Sequence, residues 1–237
     1  MQPLRVLTYN VQFCRGIDRA VDIPRIAAAI APFDPDVLAL QEVDVDCARS
    51  GMCDQAQRLA ELLGLHVTFG PTIERGNERI GNATLTRLPV LATRQVRLPV
   101  SLPDHEPRCA LVTRHTWRDL ELDLINTHFS DRSARDRQAQ AEEVLRAIGE
   151  DPTVVCGDLN CTPWSRPFRT LARRLRPVAS PRTWPSPLPL IPLDHILIRG
   201  DLTVLRSGLW RGPGVRRASD HLPVFAELLP SAHAVAA

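Results

Sequence analysis

The 237-residue chain contains no lysine, and all 29 of its basic residues are arginine. This excludes a Schiff-base lysine and a phosphate-binding loop of the G-x-x-x-x-G-K-[ST] type. Aromatic residues make up only 5%, with a single tyrosine. The six cysteines include no C-x-x-C pair, so no paired zinc framework is expected. They are also too sparse for a disulfide scaffold and read as isolated thiols in a reducing compartment. No apolar run approaches the roughly 18 residues of a membrane span. The start Met1-Gln2-Pro3-Leu4-Arg5 lacks the charged and long apolar regions of a signal peptide, so a cytoplasmic location is expected. There is no G-x-S-x-G elbow. Ser219, Asp220 and His221 are consecutive and diverge on an extended chain, which excludes a serine-hydrolase triad. A formal net charge of +2 does not by itself mark a nucleic-acid binder.

What the chain does contain is a series of short apolar runs that end in polar residues. Leu4–Tyr9 ends at Asn10, Val37–Leu40 at Gln41-Glu42, and Leu120–Ile125 at Asn126-Thr127-His128. Val154–Cys156 ends at Gly157-Asp158-Leu159-Asn160. Leu190–Leu193 meets Asp194-His195, followed by Ile196–Ile198, and Ser219-Asp220-His221 precedes Leu222–Leu229. Such runs predict buried strands. Helical spacing is expected over Ile23–Ile30, Asp54–Leu63 with Gly64 as C-cap, Ser133–Ile148 and Pro167–Leu175. Ala83–Leu98 and Ala110–Ile125 read as antiparallel hairpins. The mixture predicts an α/β sandwich of mixed sheets rather than a doubly wound parallel sheet. No linker divides residues 1–230, which read as one domain with a flexible tail over 231–237. The proline-rich stretch Pro177–Pro192 reads as an ordered loop framing a site.

Open sheets gather strand ends at a rim where ligands bind. Glu42, Asp158 and Asp220, with Asn10 and Asn160, offer hard oxygen donors suited to Mg²⁺ or Mn²⁺ rather than zinc. His128 and His221 are then free for proton work and phosphate stabilisation, with Asp194 orienting one imidazole. This is what attack of water on a phosphoester needs. His195, next to Asp194 on the same strand, is expected to face away.

Thr8-Tyr9-Asn10, Leu40-Gln41-Glu42-Val43, Asn126-Thr127-His128, Gly157-Asp158-Leu159-Asn160, Asp194-His195-Ile196 and Ser219-Asp220-His221-Leu222-Pro223 occur in one order. In this the chain resembles the endonuclease/exonuclease/phosphatase superfamily over residues 4–229. Gly81-Asn82-Ala83-Thr84-Leu85-Thr86-Arg87-Leu88-Pro89 is similar to a further family strand, with Thr86 where serine is usual. The resemblance implies a four-layer α/β/β/α sandwich of two packed mixed sheets, like deoxyribonuclease I. It implies Glu42 as the principal metal carboxylate, with Asn10 beside it and Asp220 adding a contact. It further implies His221 paired with Asp194, Asp158 acting on the attacking water, Asn160 holding water or a phosphate oxygen, and His128 binding phosphate. Asn126, Arg108 and Arg135 are expected on the substrate side, Asn126 as a support of the site; Asp44-Val45-Asp46 is expected as a solvated turn, with added rim carboxylates as the alternative. The expected activity is Mg²⁺- or Mn²⁺-dependent phosphoester hydrolysis. The leading substrate is a phosphodiester, in nucleic acid or in a small or lipid molecule, with no obligate protein partner. The alternative is an inactive module of the same fold that binds a phosphorylated ligand.

Overall fold

Most strands carry apolar residues on both faces, so each sheet has to be covered on two sides. The computed structural model describes residues 2–231; of the expected tail only Ser231 falls within them. The chain runs β1 (Leu4–Asn10), α1 (Ile23–Ile30), β2 (Val37–Val45), α2 (Gln55–Leu63), β3 (His66–Arg75), β4 (Glu78–Thr86), β5 (Val90–Leu98), β6 (Arg108–Trp117) and β7 (Leu120–His128). It continues through α3 (Ala134–Ala147), β8 (Thr153–Asp158), α4 (Arg166–Leu171), β9 (Arg176–Ala179), β10 (Asp194–Arg199), β11 (Leu202–Leu209), α5 (Val215–Ala218) and β12 (Val224–Pro230). Asp22, Asp54 and Ser133 cap α1, α2 and α3 by accepting from backbone N–H groups, and Gly64 closes α2 in the left-handed region.

Two six-stranded sheets form, in the orders β11-β12-β1-β2-β4-β3 and β5-β6-β7-β8-β10-β9. Each is mixed: β1–β2 and β7–β8 are parallel, while the other pairings are antiparallel. Parallel neighbours need a crossover, which α1 and α3 supply. Three apolar layers result. Leu7, Leu38 and Leu40 pack under Ile26 and Leu59. Val6, Val37, Leu124, Val154 and Ile196 meet between the sheets. Ile125, Val155 and Leu197 pack against Val144 and Phe168. This is the four-layer α/β/β/α sandwich. Among the described residues no helix is long and apolar enough to cross a membrane.

Several sequence expectations are corrected. β4 and β5 belong to different sheets, so Ala83–Leu98 is a crossing between layers at Leu88-Pro89 rather than a hairpin. Leu190–Leu193 forms only an isolated bridge, Trp184 with Ile191, because Pro189 and Pro192 have no N–H for a ladder. The helix expected over Pro167–Leu175 ends at Leu171.

His195 lies in the outer layer with its ring edge-on to Phe168, and its Nε2 bonds the Cys161 carbonyl at 2.7 Å. Burial pushes His195 down to about 4, and His115 likewise. Both therefore stay neutral when folded and take up protons on unfolding. The stability they contribute is present above pH 6.5 and is lost as pH falls from 6.5 toward 4, by about 1.4 kcal/mol per pH unit for each ring. Urea unfolding from pH 7.5 to 4 should give His195→Leu a pH slope that differs from the parent's by one histidine's share, the other shifted groups being common to both proteins. An unchanged slope in that variant would refute the assignment.

Candidate active site

The inner faces of the two sheets turn polar at one end without a change of parity. On β1, Val6 is followed by Thr8 and Asn10, and on β7, Leu124 by Asn126 and His128. On β8, Cys156 is followed by Asp158, and on β10, Ile196 is preceded by Asp194. Strand register does the rest. Asp158 stands directly beside His128 on one neighbouring strand and Asp194 on the other. Gly157 permits this: its φ is +143°, and a Cβ there would lie 1.8 Å from the Thr127 carbonyl oxygen.

Glu42 arrives by a different route. It sits inside β2, not at its end, in a β-bulge where Leu40 pairs with Ala83 but Val43 with Gly81. Its φ is +55°. The extra residue turns the carboxylate to the rim and lets Val43 and Val45 rejoin the apolar layer under the helices. The Asn10 amide then joins the two sheets, donating to Glu42 Oε1 at 2.9 Å and Asp158 Oδ2 at 3.1 Å.

The Ser219–His221 segment is tied down from both sides. Ser219 Oγ donates to the Asn10 carbonyl at 2.8 Å, Ser186 Oγ to the Ser219 carbonyl at 2.6 Å, and Leu222 N to the Thr183 carbonyl at 3.1 Å. The proline-rich loop therefore frames the site, and Trp184 Nε1 reaches Asp220 Oδ2 at 3.4 Å. His221 Nδ1 lies 2.8 Å from Asp194 Oδ2, and Nε2 lies 3.6 Å from Asp158 Oδ2. Burial alone would discharge this ring, but the Asp194 and Asp158 carboxylates outweigh it and hold His221 up at about 10. Burial pushes Asp158 up to about 7; the His221 charge opposes the rise and Asp194 adds to it. Asp158, Asp194 and His221 form a compact buried cluster. Its histidine is held protonated and has no free lone pair; the carboxylates of Glu42 and Asp220 line the cleft beside it.

His128 is the opposite case. Both ring nitrogens face donors, Arg108 Nη1 at 2.9 Å from Nδ1 and Asn160 Nδ2 at 3.1 Å from Nε2. Burial, then Arg108 and His221, hold it neutral. A neutral ring accepts at only one nitrogen; the charge-assisted contact from Arg108 makes that Nδ1, which puts the ring's proton on Nε2 and leaves the Asn160 amide to donate to Phe129. Asn160, at φ +46°, also donates to the Phe129 carbonyl at 3.0 Å.

Of the remaining sequence candidates, Arg108 lines the cleft, Arg135 lies beside it and Asn126 lies beneath it. Asn126 is fully buried. Its amide bonds the Leu40 and Ala83 carbonyls and accepts from Gln41 at 2.8 Å, stitching the sheets beneath the cleft. Arg108 is 5% exposed and spent on Glu106, Asp131 and His128. Arg135 lines a neighbouring cleft on α3 that meets the site at Asn160 and Leu193. Asp44 is buried and pairs with Arg49, so it is no solvated turn; the bulge hid the parity of Asp44, and nothing in the sequence singled out Arg49 as its partner. The cleft itself holds about 630 Å³, with Glu42, His128, Asp158, Asp220 and His221 among its lining residues.

Residues 7–221 match the sequence profile of the Endonuclease/Exonuclease/phosphatase family, and the chain belongs to that family. Its members are hydrolases acting on phosphoesters and are generally metal-dependent. A search of curated proteins finds no match. Among solved structures, the endonuclease/exonuclease/phosphatase of Beutenbergia cavernae is similar at TM-score 0.82 and 26% identity, over 98% of this chain and 72% of that one. The Bacteroides thetaiotaomicron mannosyl-6-phosphatase Bt3783 is similar at TM-score 0.77 and 19% identity, over 95% and 99% of the two chains. The D. rerio TDP2 structure with a single-strand DNA product is similar at TM-score 0.73 and 16% identity, over 97% and 100%.

Asn126→Ala removes the side-chain donor from two buried carbonyls and one acceptor from the Gln41 amide, and should cost about 2–3 kcal/mol in urea unfolding; a loss under about 0.5 kcal/mol would show the sheets are joined by other means. Imidazole nitrogen NMR should find His128 as the Nε2–H tautomer, with the preference lost in Arg108→Met. An unchanged spectrum would separate Arg108 from the tautomer.

Proposed function

We propose that the protein is a Mg²⁺- or Mn²⁺-dependent phosphoesterase that hydrolyses a phosphodiester by in-line attack of water. The observation that carries this reading is the placement of Asp158, in register between His128 and Asp194 and joined through Asn10 to Glu42 on the facing sheet.

The donor set fits a hard divalent cation. Glu42 and Asp220 line the cleft with no ion-pair partner among the described residues; their contacts are to the neutral donors Asn10, Trp184 and Ser219. Two uncompensated carboxylates beside Asp158 suit Mg²⁺ or Mn²⁺ held by Glu42, Asp220 and Asn10. Such a cation, when bound, would neutralise the phosphoryl oxygens.

The chain's own residues do the rest. Asp158, poised near neutrality by burial, accepts the proton of the attacking water. Asn160, anchored at Phe129, orients that water or a phosphoryl oxygen. His128 offers its Nε2 proton to a phosphoryl oxygen without changing charge. His221, kept protonated by Asp194, stabilises negative charge as it develops on phosphorus.

Hydrolysis of bis(p-nitrophenyl) phosphate should require Mg²⁺ or Mn²⁺ and stop with EDTA. Asp158→Ala and Asp194→Asn should each lower turnover by roughly 10²–10⁴ with the fold intact. No metal-dependent turnover of this diester, of p-nitrophenyl phosphate or of DNA would sink the reading and leave the phospho-ligand-binding module in its place.

A further inference from the structure

The arginines at the cleft are of two kinds. Arg108 is consumed by three partners. Arg49 is held only from behind. Its Nε and Nη2 bond the fully buried Asp44 carboxylate at 2.8 and 2.7 Å, and its guanidinium lies 4.1 Å from the centroid of the Phe13 ring. That ring sits in a turn whose residues Gln12, Phe13 and Cys14 all have positive φ, at 47°, 44° and 58°. Gln55 locks the turn in place, donating to the Phe13 carbonyl at 2.8 Å while accepting from Asp44 N at 3.1 Å.

So a buried carboxylate, an aromatic face and a strained turn fix one arginine whose side chain is nevertheless 47% exposed and lines the cleft beside Glu42. Burying Asp44 is costly unless it is paired, and the pair gains little for the fold that an apolar pair would not. What the arrangement does provide is a guanidinium immobilised before ligand arrives, with no partner for its Nη1 among the described residues. Arg75, at the end of β3, lines the same cleft and has no ion pair among the described residues; it stands opposite Glu78, whose carboxylate accepts from Ala48 N next to Arg49.

We propose that Arg49 and Arg75 form a second anion subsite on the Glu42 side of the cleft. It takes a phosphoryl group other than the one cleaved, so the substrate is a small phosphoester carrying a second phosphate. The planar guanidinium fork matches phosphoryl oxygens two at a time, which a lone surface charge does not. This deepens the phosphoesterase reading and rests on it for which phosphate is cleaved, but not for the binding itself.

Calorimetry on the whole protein with Mg²⁺ tests the subsite independently of turnover. Adenosine 3′,5′-bisphosphate should bind about tenfold more tightly than 5′-AMP, the factor expected of one added charge-assisted contact pair. Arg49→Gln and Arg75→Gln should each remove most of that preference. Arg75 makes no side-chain hydrogen bond or ion pair among the described residues, so its variant reports even if Arg49→Gln destabilises the loop. Trithymidylate against dithymidylate distinguishes the source: a preference there, absent with the bisphosphate, moves the second phosphate into a nucleic-acid strand. Equal affinities in both comparisons, or a preference that survives both substitutions, overturns the subsite. If bis(p-nitrophenyl) phosphate is still hydrolysed in that case, the phosphoesterase reading stands alone. A bisphosphate preference without any hydrolysis has the opposite meaning.

Discussion

Back-to-back packing of the two sheets is the constraint from which the cleft follows. Residues of one parity on β1, β7, β8 and β10 fill the space between the sheets. At one end those same faces become Asn10, His128, Asp158 and Asp194, so the groups converge without any loop having to carry them there. Between apolar core and polar rim lies a buried amide layer, Thr8, Gln41 and Asn126. Gln41 Nε2 donates to Thr8 Oγ1 at 3.1 Å and to Asn126 Oδ1 at 2.8 Å. In that layer only Gln41 Oε1 lacks a protein partner among the amide atoms. A layer so nearly satisfied fixes the spacing of the sheets, because sliding them would strand several polar groups at once.

Strain gathers around the same rim. Glu42, Asn160 and the run Gln12–Cys14 all occupy the left-handed region without being glycine. Each such residue costs on the order of 1–3 kcal/mol and persists only where the surroundings over-determine it. Here they do. Gly81 approaches within contact of the Gly70 carbonyl beside the Glu42 bulge, Asp158 Oδ1 accepts from Asn160 N at 2.9 Å, and Gln55 grips Phe13. A regular β2 would aim Glu42 at the layer of Leu38 and Leu40, where an ionised carboxylate is untenable. The bulge is thus the local answer to placing an acid inside a strand that is otherwise apolar.

The inner strands were legible because burial on both faces leaves long aliphatic runs, and the polar residues closing those runs are the ones that meet in space. Alternation also gave the outward direction of His195 from its position next to Asp194. Less was legible where a single chain event changes sheet or parity. Nothing in Ala83–Leu98 signals that β4 and β5 part company, since strand propensity is blind to which sheet a strand joins. A bulge shifts the alternation by one, so Asp44 looked like turn material although it is buried. The partners of long side chains were equally hidden: Arg108 and Arg135 are the same residue type near the same motif, yet one is locked under His128 and the other lies on a helix surface. The amide of Asn126 points inward because Leu40 and Ala83 of the other sheet need donors, a demand that exists only in three dimensions.

Charge at the cleft is arranged in depth. The floor carries Asp158, Asp194, Glu42 and Asp220 against one chain-supplied cation, His221. Arginine is kept from neutralising them: Arg108 is diverted to Glu106 and Asp131, and Arg49 to Asp44. Had either guanidinium paired with Glu42 or Asp220, the floor would be a closed salt-bridge network with no reason to bind anything. Left as it is, the floor favours a small cation of high charge and the wall favours an anion. On the proposed reading, a phosphoester brought in with a divalent ion satisfies both at once, and neither ligand alone does.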